Sequence, residues 1–558
     1  MITHPTTSEP SGSDLPGWLP DEATLSRLAN ALFAALPGTT VEDNPAGSAG
    51  HQTPGGTLDS VTVPQFLDPL PPLIGPPPTG SRSAGPVPIT EPARRPGIGS
   101  ITPHYYFLDQ PSPGHGPRGL EIIERNPVPG WAGEGRVPQL PGDPHPPFDV
   151  QTLRRDFPIL AERVNGRPLI WFDNAATTQK PLAVIERLVH FYAHENSNIH
   201  RGAHTLAARA TDAYEGARAG VARFLNAGSA EEIIFVRGAT EAINLVAQTW
   251  GRKHIKSGDE IIISHLEHHA NIVPWQMLAL ETGAVIKVIA VNDAGELLMN
   301  DYARLLSDRT RLVAVTHVSN ALGTITPAAD IVDLAHRAGA RVLIDGAQSV
   351  PHLRVDVQQL GADFYVFSGH KIFGPTGIGV VHGRPEVLED LPPWQGGGNM
   401  IIDVTLERST YQRPPHRFEA GTGNIADAAG LATALEYVER IGIEAIAEYE
   451  HFLVRYATAQ MREVPGLRLV GTAAEKASVL SFVLDGYTAE QVGSALNQEG
   501  IAVRAGHHCA QPILRRLGLE ATVRPSLAFY NTCAEVDTMV AALHRLATDA
   551  GGYLRGVR

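Results

Sequence analysis

Cysteine is scarce in this 558-residue chain, which has only Cys509 and Cys533. Two thiols near one end cannot build a disulfide framework, and this points to a reducing compartment. Positive charge is in deficit as well. The 45 Lys and Arg stand against 59 Asp and Glu, for a formal net charge of -14. That balance argues against nucleic acid as the main partner. No uninterrupted apolar run reaches about 18 residues, so no membrane span is expected. Met1 to Pro10 lacks a basic stretch leading into an apolar core. No secretory signal is therefore expected, and the location reads as cytoplasmic.

Proline is plentiful, but mostly in one place. Of the 44 prolines, 29 precede Phe148, far above the usual frequency of roughly 5%. Runs such as Pro71-Pro72-Leu73-Ile74-Gly75-Pro76-Pro77-Pro78 cannot enter a helix or an inner strand, because proline has no N–H to donate. Residues 1–147 are expected to be a disordered, Pro/Gly-rich extension. Three islands interrupt it. Leu25, Leu28, Leu32 and Leu36 recur at helical spacing. Val63 to Leu70 is a short apolar patch, and Ile101 to Leu108 carries Tyr105, Tyr106 and Phe107. Such islands either pack on the enzyme's own surface or act as docking peptides for a partner.

From Phe148 the pattern becomes α/β. Glu232 to Val236, Glu260 to Ser264, Val285 to Ala290, Leu312 to Thr316 and Val342 to Asp345 read as buried strands. Ala239 to Trp250 and Ile331 to Ala338 read as helices between them. Alternation of this kind predicts a mostly parallel sheet covered on both faces. After about Ala426 the chain turns helix-rich, with a strand at Ala477 to Leu484, and a smaller α+β domain is expected there. The expected divisions are an extension (1–147), an N-terminal arm (148–170), a large domain (171–425) and a small domain (426–558).

The chemistry centres on Phe367-Ser368-Gly369-His370-Lys371-Ile372-Phe373-Gly374-Pro375. A lysine set among small and polar residues after an apolar strand is placed to form a Schiff base, most commonly with pyridoxal 5′-phosphate. That cofactor needs an acid beside its pyridine nitrogen. Asp345 ends the apolar run Val342-Leu343-Ile344, where ligands gather in open α/β sheets, and Gln348 follows within reach of the phenolic oxygen. Arg237-Gly238-Ala239-Thr240-Glu241 lies between a strand and a helix, where free N–H groups and the helix dipole favour a phosphate. The competing reading of Thr240 is an ordinary helix cap. Ser368 and His370 add donors. His268, in Glu267-His268-His269-Ala270-Asn271, suits stacking on the pyridine ring and proton transfer near neutral pH. Adjacent His268 and His269 make a poor chelate, and no metal is expected. Cys509 lies in Arg504-Ala505-Gly506-His507-His508-Cys509-Ala510, where Arg504, His507 and His508 are expected to favour the thiolate. Cys533, next to the apparent helix cap Thr532, reads as structural.

Eight segments in matching order resemble those of the pyridoxal-phosphate-dependent class V aminotransferase fold: Asp173 to Thr177, Asn198 to His204, Arg237 to Asn244, His268 to Gln276, Asp345 to Gln348, Ser368 to Gly379, Arg417 to Asn424 and Arg504 to Pro512. More narrowly they resemble the SufS-type (group II) cysteine desulfurases, over about 410 residues. The resemblance implies fold type I, with a seven-stranded-type sheet, a small C-terminal domain and a homodimer. It implies a cofactor site of Lys371, Asp345, Gln348, Ala239, Thr240, His268, Ser368 and His370, with Thr422 reaching the phosphate of the other subunit. Asn320 and Arg524 would hold the carboxylate of L-cysteine, with Arg504 and Ala175 beside them. Lys371, His268 and Cys509 would be catalytic, Cys509 accepting the sulfur as a persulfide. It also implies a SufE-like or SufU-like sulfur acceptor. Selenocysteine lyases share most of these segments. A class V aminotransferase or epimerase would have no use for Cys509. The long leader resembles that of desulfurases packaged as cargo in family 2 encapsulin shells, and a purely scaffolding role is the non-enzymatic alternative.

Overall fold

A computed structural model describes residues 148–200 and 204–556. The leader and its three apolar islands lie outside the described residues. Short β-branched runs form one seven-stranded sheet: β1 (Ile233–Val236), β2 (Glu260–Ser264), β3 (Val285–Ile289), β4 (Thr310–Thr316), β5 (Arg341–Asp345), β6 (Phe364–Ser368) and β7 (Gly379–Gly383). The strands lie in the order β1-β7-β6-β5-β4-β2-β3. Neighbours from β6 to β3 are parallel, whereas β7 runs antiparallel to both β1 and β6. The sheet is thus mixed but mostly parallel, and β1 points the same way as β6.

Side chains alternate across these strands. Ile262, Val313, Val315, Val342, Ile344 and Phe367 enter the core on one face. Ile261, Ile263, Leu312, Ala314, Leu343 and Val366 enter the core on the other. All are buried, and each large side chain contributes about 1.5–3 kcal/mol on full burial. The helices that supply the rest of both cores are α1 (Leu182–His194), α2 (Thr205–Phe224), α3 (Ala239–Val246), α4 (Val273–Thr282), α5 (Ala328–Arg337) and α6 (Ile425–Ile441). The helix expected over 239–250 is present and runs on to His254: α3 passes without a break into a π-helical stretch, Ala247–Gly251, and a last α turn, Arg252–His254.

Further along lie α7 (Ile443–Arg462), α8 (Cys533–Gly556) and an antiparallel sheet of β8 (Leu467–Val470), β9 (Ser481–Leu484), β10 (Arg504–Gly506) and β11 (Thr522–Arg524). Its order is β8-β9-β11-β10. Leu453 and Met461 of α7, Phe482 of β9, Val523 of β11 and Met539 of α8 share one core. The strand expected over 477–484 is shorter, because the Ala477 N–H is spent on Gly323 O and Val479 bridges to Ser526. Among the described residues no helix is long and apolar enough to cross a membrane.

One buried ion pair joins α2 to the segment before α6. Arg218 donates to both carboxylate oxygens of Glu419, at 2.7 and 2.9 Å. Glu419 also accepts the Phe235 N–H of β1 and the Tyr214 hydroxyl. Breaking one side of such a pair costs about 3–5 kcal/mol, because the other charge is left buried.

Candidate active site

Five parallel strands end at one edge of the large sheet, and the chemically active residues follow those ends. Gly238 to Thr240 come after β1, His268 after β2 and Asn320 after β4. Asp345 closes β5, and Ser368 to Lys371 end and follow β6. β11 and the turn after β10 bring Arg524 and Cys509 to the same place. A cavity of about 180 Å³ is lined there by Lys371, Asp345, Gln348, Ala239, Thr240, His268, Ser368, His370, Ala175, Asn320, Arg504, Arg524 and Cys509. Thr422 is the one expected site residue not brought in. It is exposed, 3.5 Å from Asn198 Oδ1, and lines a neighbouring cavity with Arg237 and Glu241.

Burial holds Lys371 down at about 8, reinforced by the charges of Arg524 and Arg504, while Asp345 and Cys509 oppose the shift. A base form is therefore accessible near neutral pH. Burial raises Asp345 above the ordinary carboxylate range, against a backbone N–H bond from Ala347 at 2.9 Å and the Lys371 charge. Burial also drives His268 down to about 3, with Lys371 the first of the cations that add to it. Its Nδ1 accepts the Ala270 N–H at 3.0 Å, so the neutral ring carries its proton on Nε2. His268 thus differs from the expected group titrating near neutrality: in this pocket it is a neutral imidazole.

The N-terminus of α3 is not capped by Thr240. The cap position is Gly238, and the Ala239 N–H is taken by Ser368 Oγ at 2.9 Å. The approach is close: a Cβ on Gly379 would lie 2.4 Å from Gly238 Cα and 2.7 Å from Phe367 O. Gln348 Nε2 donates to Ala175 O at 2.6 Å.

Arg524 is 2% exposed. Its guanidinium donates to Asn320 O at 2.9 Å and to Asp173 Oδ1 at 3.1 Å. Burial lowers it to about 10, so it stays cationic. Arg524 Nε and Asn320 Oδ1 are buried without a partner. Arg504, in β10, donates to Asp173 Oδ2 at 3.1 and 3.2 Å. Asp173 is thus the carboxylate that holds both arginines. It opens the segment Asp173-Asn174-Ala175-Ala176-Thr177, and nothing local to that segment points to partners 331 and 351 residues away.

The Cys509 turn is fixed from several sides. His508 and Cys509 both have φ of 53°, a left-handed conformation that costs a non-glycine residue about 1–3 kcal/mol. The His269 N–H donates to Cys509 O at 2.8 Å, and Asn320 Nδ2 to His508 O at 2.7 Å. The Cys509 N–H donates to His507 Nδ1 at 3.1 Å. The rings of His269 and His507 stack with centroids 5.7 Å apart. His269, expected only as a poor chelator, is therefore a positioning residue for the thiol. The expectation for His508 is corrected. It is buried, bonded to Thr522 Oγ1 at 2.8 Å and held near 3 by burial and by Arg524 and Arg504. It is neutral and supplies no positive charge to the thiolate. Cys533 is half-buried, and burial raises its thiol.

The residues fit pyridoxal phosphate. A buried acid and a buried amine share the cavity, and the α3 N-terminus, opened by Gly238, lines the same cavity through Ala239 and Thr240. A separate group, His200, Glu215 and His416, has ligand atoms within 4.8 Å of one another. Arg218 Nε, 2.9 Å from Glu215, already supplies its positive charge.

The sequence matches the class-V aminotransferase family over residues 170–539. It is 68% identical over 400 residues to a probable cysteine desulfurase of Mycobacterium leprae, covering 72% of this chain and 66% of that one. It is 67% identical over 401 residues to a cysteine desulfurase of Synechococcus elongatus, covering 72% and 64%. The chain thus spans slightly less than two thirds of these relatives. A cysteine desulfurase of Dickeya dadantii is 54% identical, with 72% of this chain and 97% of that one aligned. Among solved structures, a cysteine desulfurase from Escherichia coli superposes with a TM-score of 0.67 at 40% identity, covering 72% of this chain and 99% of that one.

Proposed function

Since this chain belongs to the class-V aminotransferase family, with its α/β fold type I and pyridoxal-phosphate cofactor, we propose that it is a cysteine desulfurase. In this reading L-cysteine is converted to L-alanine and its sulfur passes to Cys509 as a persulfide. The observation that carries the reading is one cavity shared by Lys371, Asp345, the Asn320–Arg524 pair and Cys509.

When bound, pyridoxal phosphate supplies an electron sink for charge that builds on the substrate α-carbon. Lys371 would hold the cofactor and Asp345 would keep its ring nitrogen protonated. Ala239, Thr240, Ser368 and His370 would surround the phosphate, and Gln348 would face the phenolic oxygen. Arg524 would bind the substrate carboxylate through its guanidinium, whose Nε–H lacks a partner, with Asn320, Arg504 and Ala175 lining that side of the cavity. Lys371 Nζ, released as a neutral amine, takes the α-proton. His268, neutral in this pocket, would stack on the cofactor ring and pass a proton through Nε2. Cys509 Sγ, as thiolate, forms the S–S bond while the C–S bond breaks. The C–S electron pair stays with the carbon fragment, which takes up protons and leaves as alanine.

The finer assignment is the SufS-type group, working as a homodimer in the cytoplasm and passing sulfur to a SufE-like or SufU-like acceptor. Thr422, outside its own cavity, would then serve the partner's phosphate site. The functional division follows 148–170 as arm, 171–425 as cofactor domain and 426–558 as the domain carrying Cys509. Residues 1–147 would tether the enzyme to an encapsulin shell; support for that part comes from the sequence islands. Co-expression of a shell protein with a chain lacking 1–147 tests it, and undiminished loading would remove it. For the enzyme, Cys509→Ala should keep cofactor absorbance and lose sulfur release from cysteine. Release at the wild-type rate contradicts the assignment.

A further inference from the structure

A second cavity, of about 250 Å³, lies between α7 and the loop joining β8 to β9. α7 presents His451, Arg455, Thr458 and Arg462 to it, residues spaced by four, three and four along the helix and so on a single face. Arg455 and Arg462 are exposed, and neither side chain has an ion pair or hydrogen bond among the described residues. Opposite them stands Lys476. Its ammonium donates to Gly471 O at 3.0 Å and to Leu322 O, two neutral acceptors that leave the charge uncompensated. Burial accordingly lowers Lys476 to about 8. Val454 and Leu480 form a buried apolar floor. No Asp or Glu lines the cavity, although the chain as a whole carries a net charge of -14. A concave site with one sign of charge focuses its field on a counter-ion.

We propose that this cavity is a second ligand site, separate from the Lys371 pocket, which takes a small metabolite bearing phosphate or carboxylate anions on a short apolar body. Arg455 and Arg462 bind the anionic groups in charge-assisted pairs, and Lys476 anchors the ligand's inner end. The site adjoins the segment that follows Asn320: Ala477 N–H donates to Gly323 O, and Ile325 N–H to Glu475 O.

The test is calorimetric titration of the cofactor-loaded enzyme with pyrophosphate in one arm and citrate in the other, at constant ionic strength. Loading with cofactor keeps its own phosphate site filled. Saturable binding of pyrophosphate over citrate identifies a phosphate ligand, and the reverse identifies a polycarboxylate. Either is expected to weaken by about tenfold or more in the double variant Arg455→Ser, Arg462→Ser. Both side chains are exposed and unpaired, so the ligand-free Tm of that variant should match the wild type. Absence of saturable binding below about 10 mM in both arms, or equal binding by the double variant, overturns the proposal. An acidic protein surface as the true occupant would give the first of these results.

Discussion

Replacing Gly379 by alanine adds one methyl group at a residue that does not line the cavity, yet it should disturb the cofactor site. The new Cβ would lie 2.4 Å from Gly238 Cα, 2.7 Å from Phe367 O and 2.9 Å from Gly238 N. These are backbone atoms of β6 and of the turn after β1, so no side-chain rotation relieves the contact. β7 must separate from a neighbour by several tenths of an ångström, at an overpacking cost of about 1–3 kcal/mol. In a chain of this size each kcal/mol lowers Tm by about 1–2 °C, so a drop of about 1–6 °C is expected. Gly238 caps α3, and the Ala239 N–H beside it is bonded to Ser368 Oγ. The same displacement should therefore raise the dissociation constant for pyridoxal phosphate. Thermal denaturation and titration of the cofactor-free protein, followed by absorbance, measure both effects. Gly396→Ala is the control, since a Cβ there meets nothing within 4 Å. If Gly379→Ala matches the control in both Tm and cofactor affinity, the close approach of β1, β6 and β7 does not build the phosphate site.

Other perturbations separate the roles. Lys371→Ala should lose the visible absorbance of the lysine-bound cofactor and all turnover. Arg524→Gln should raise KM for cysteine by roughly 10–100-fold, from loss of charge-assisted hydrogen bonds to a carboxylate; an unchanged KM places the carboxylate elsewhere. His269→Ala should slow persulfide formation while leaving cofactor absorbance intact, because it removes the ring that stacks on His507 and accepts the Gln511 N–H beside the Cys509 turn. In cofactor-free protein the lysine has a distinct pH signature. Its folded value is about 8 against the ordinary 10.5, so the unfolded chain binds more protons between those values. The penalty is full below about 8 and vanishes as pH rises toward 10.5. The stability of wild type relative to Lys371→Met should therefore rise across that window, as denaturant titration at successive pH values would register.

Much of the site was legible because it sits at strand ends. The apolar runs ending near Val236, Ser264, Thr316, Asp345 and Ser368 mark the sheet, and the polar residues that follow mark its active edge. What stayed hidden depends on distance or on environment. β7 reads as Gly-Val-Val-His-Gly, with glycine at both ends, and only pairing with β1 and β6 makes it a strand. Asp173 carries no sign of its two arginines, because they come from β10 and β11 far along the chain. His508 looks like a cation beside a thiol until burial and Thr522 make it neutral. Thr240 has the chemistry of a cap, but Gly238 occupies the cap position and the Ser368 hydroxyl takes the Ala239 N–H. Thr422 falls outside the cavity of its own chain, which no reading of a single sequence segment reveals.

On the proposed function, Cys509 takes sulfur from cysteine in the cavity that Lys371 and Arg524 line. A single turnover with L-cysteine, quenched by alkylation and followed by peptide mass spectrometry, tests it most directly. One added sulfur atom on the Cys509 peptide for each alanine formed, with Cys533 unmodified, is the expected result. Alanine formation with an unmodified Cys509 peptide would contradict it.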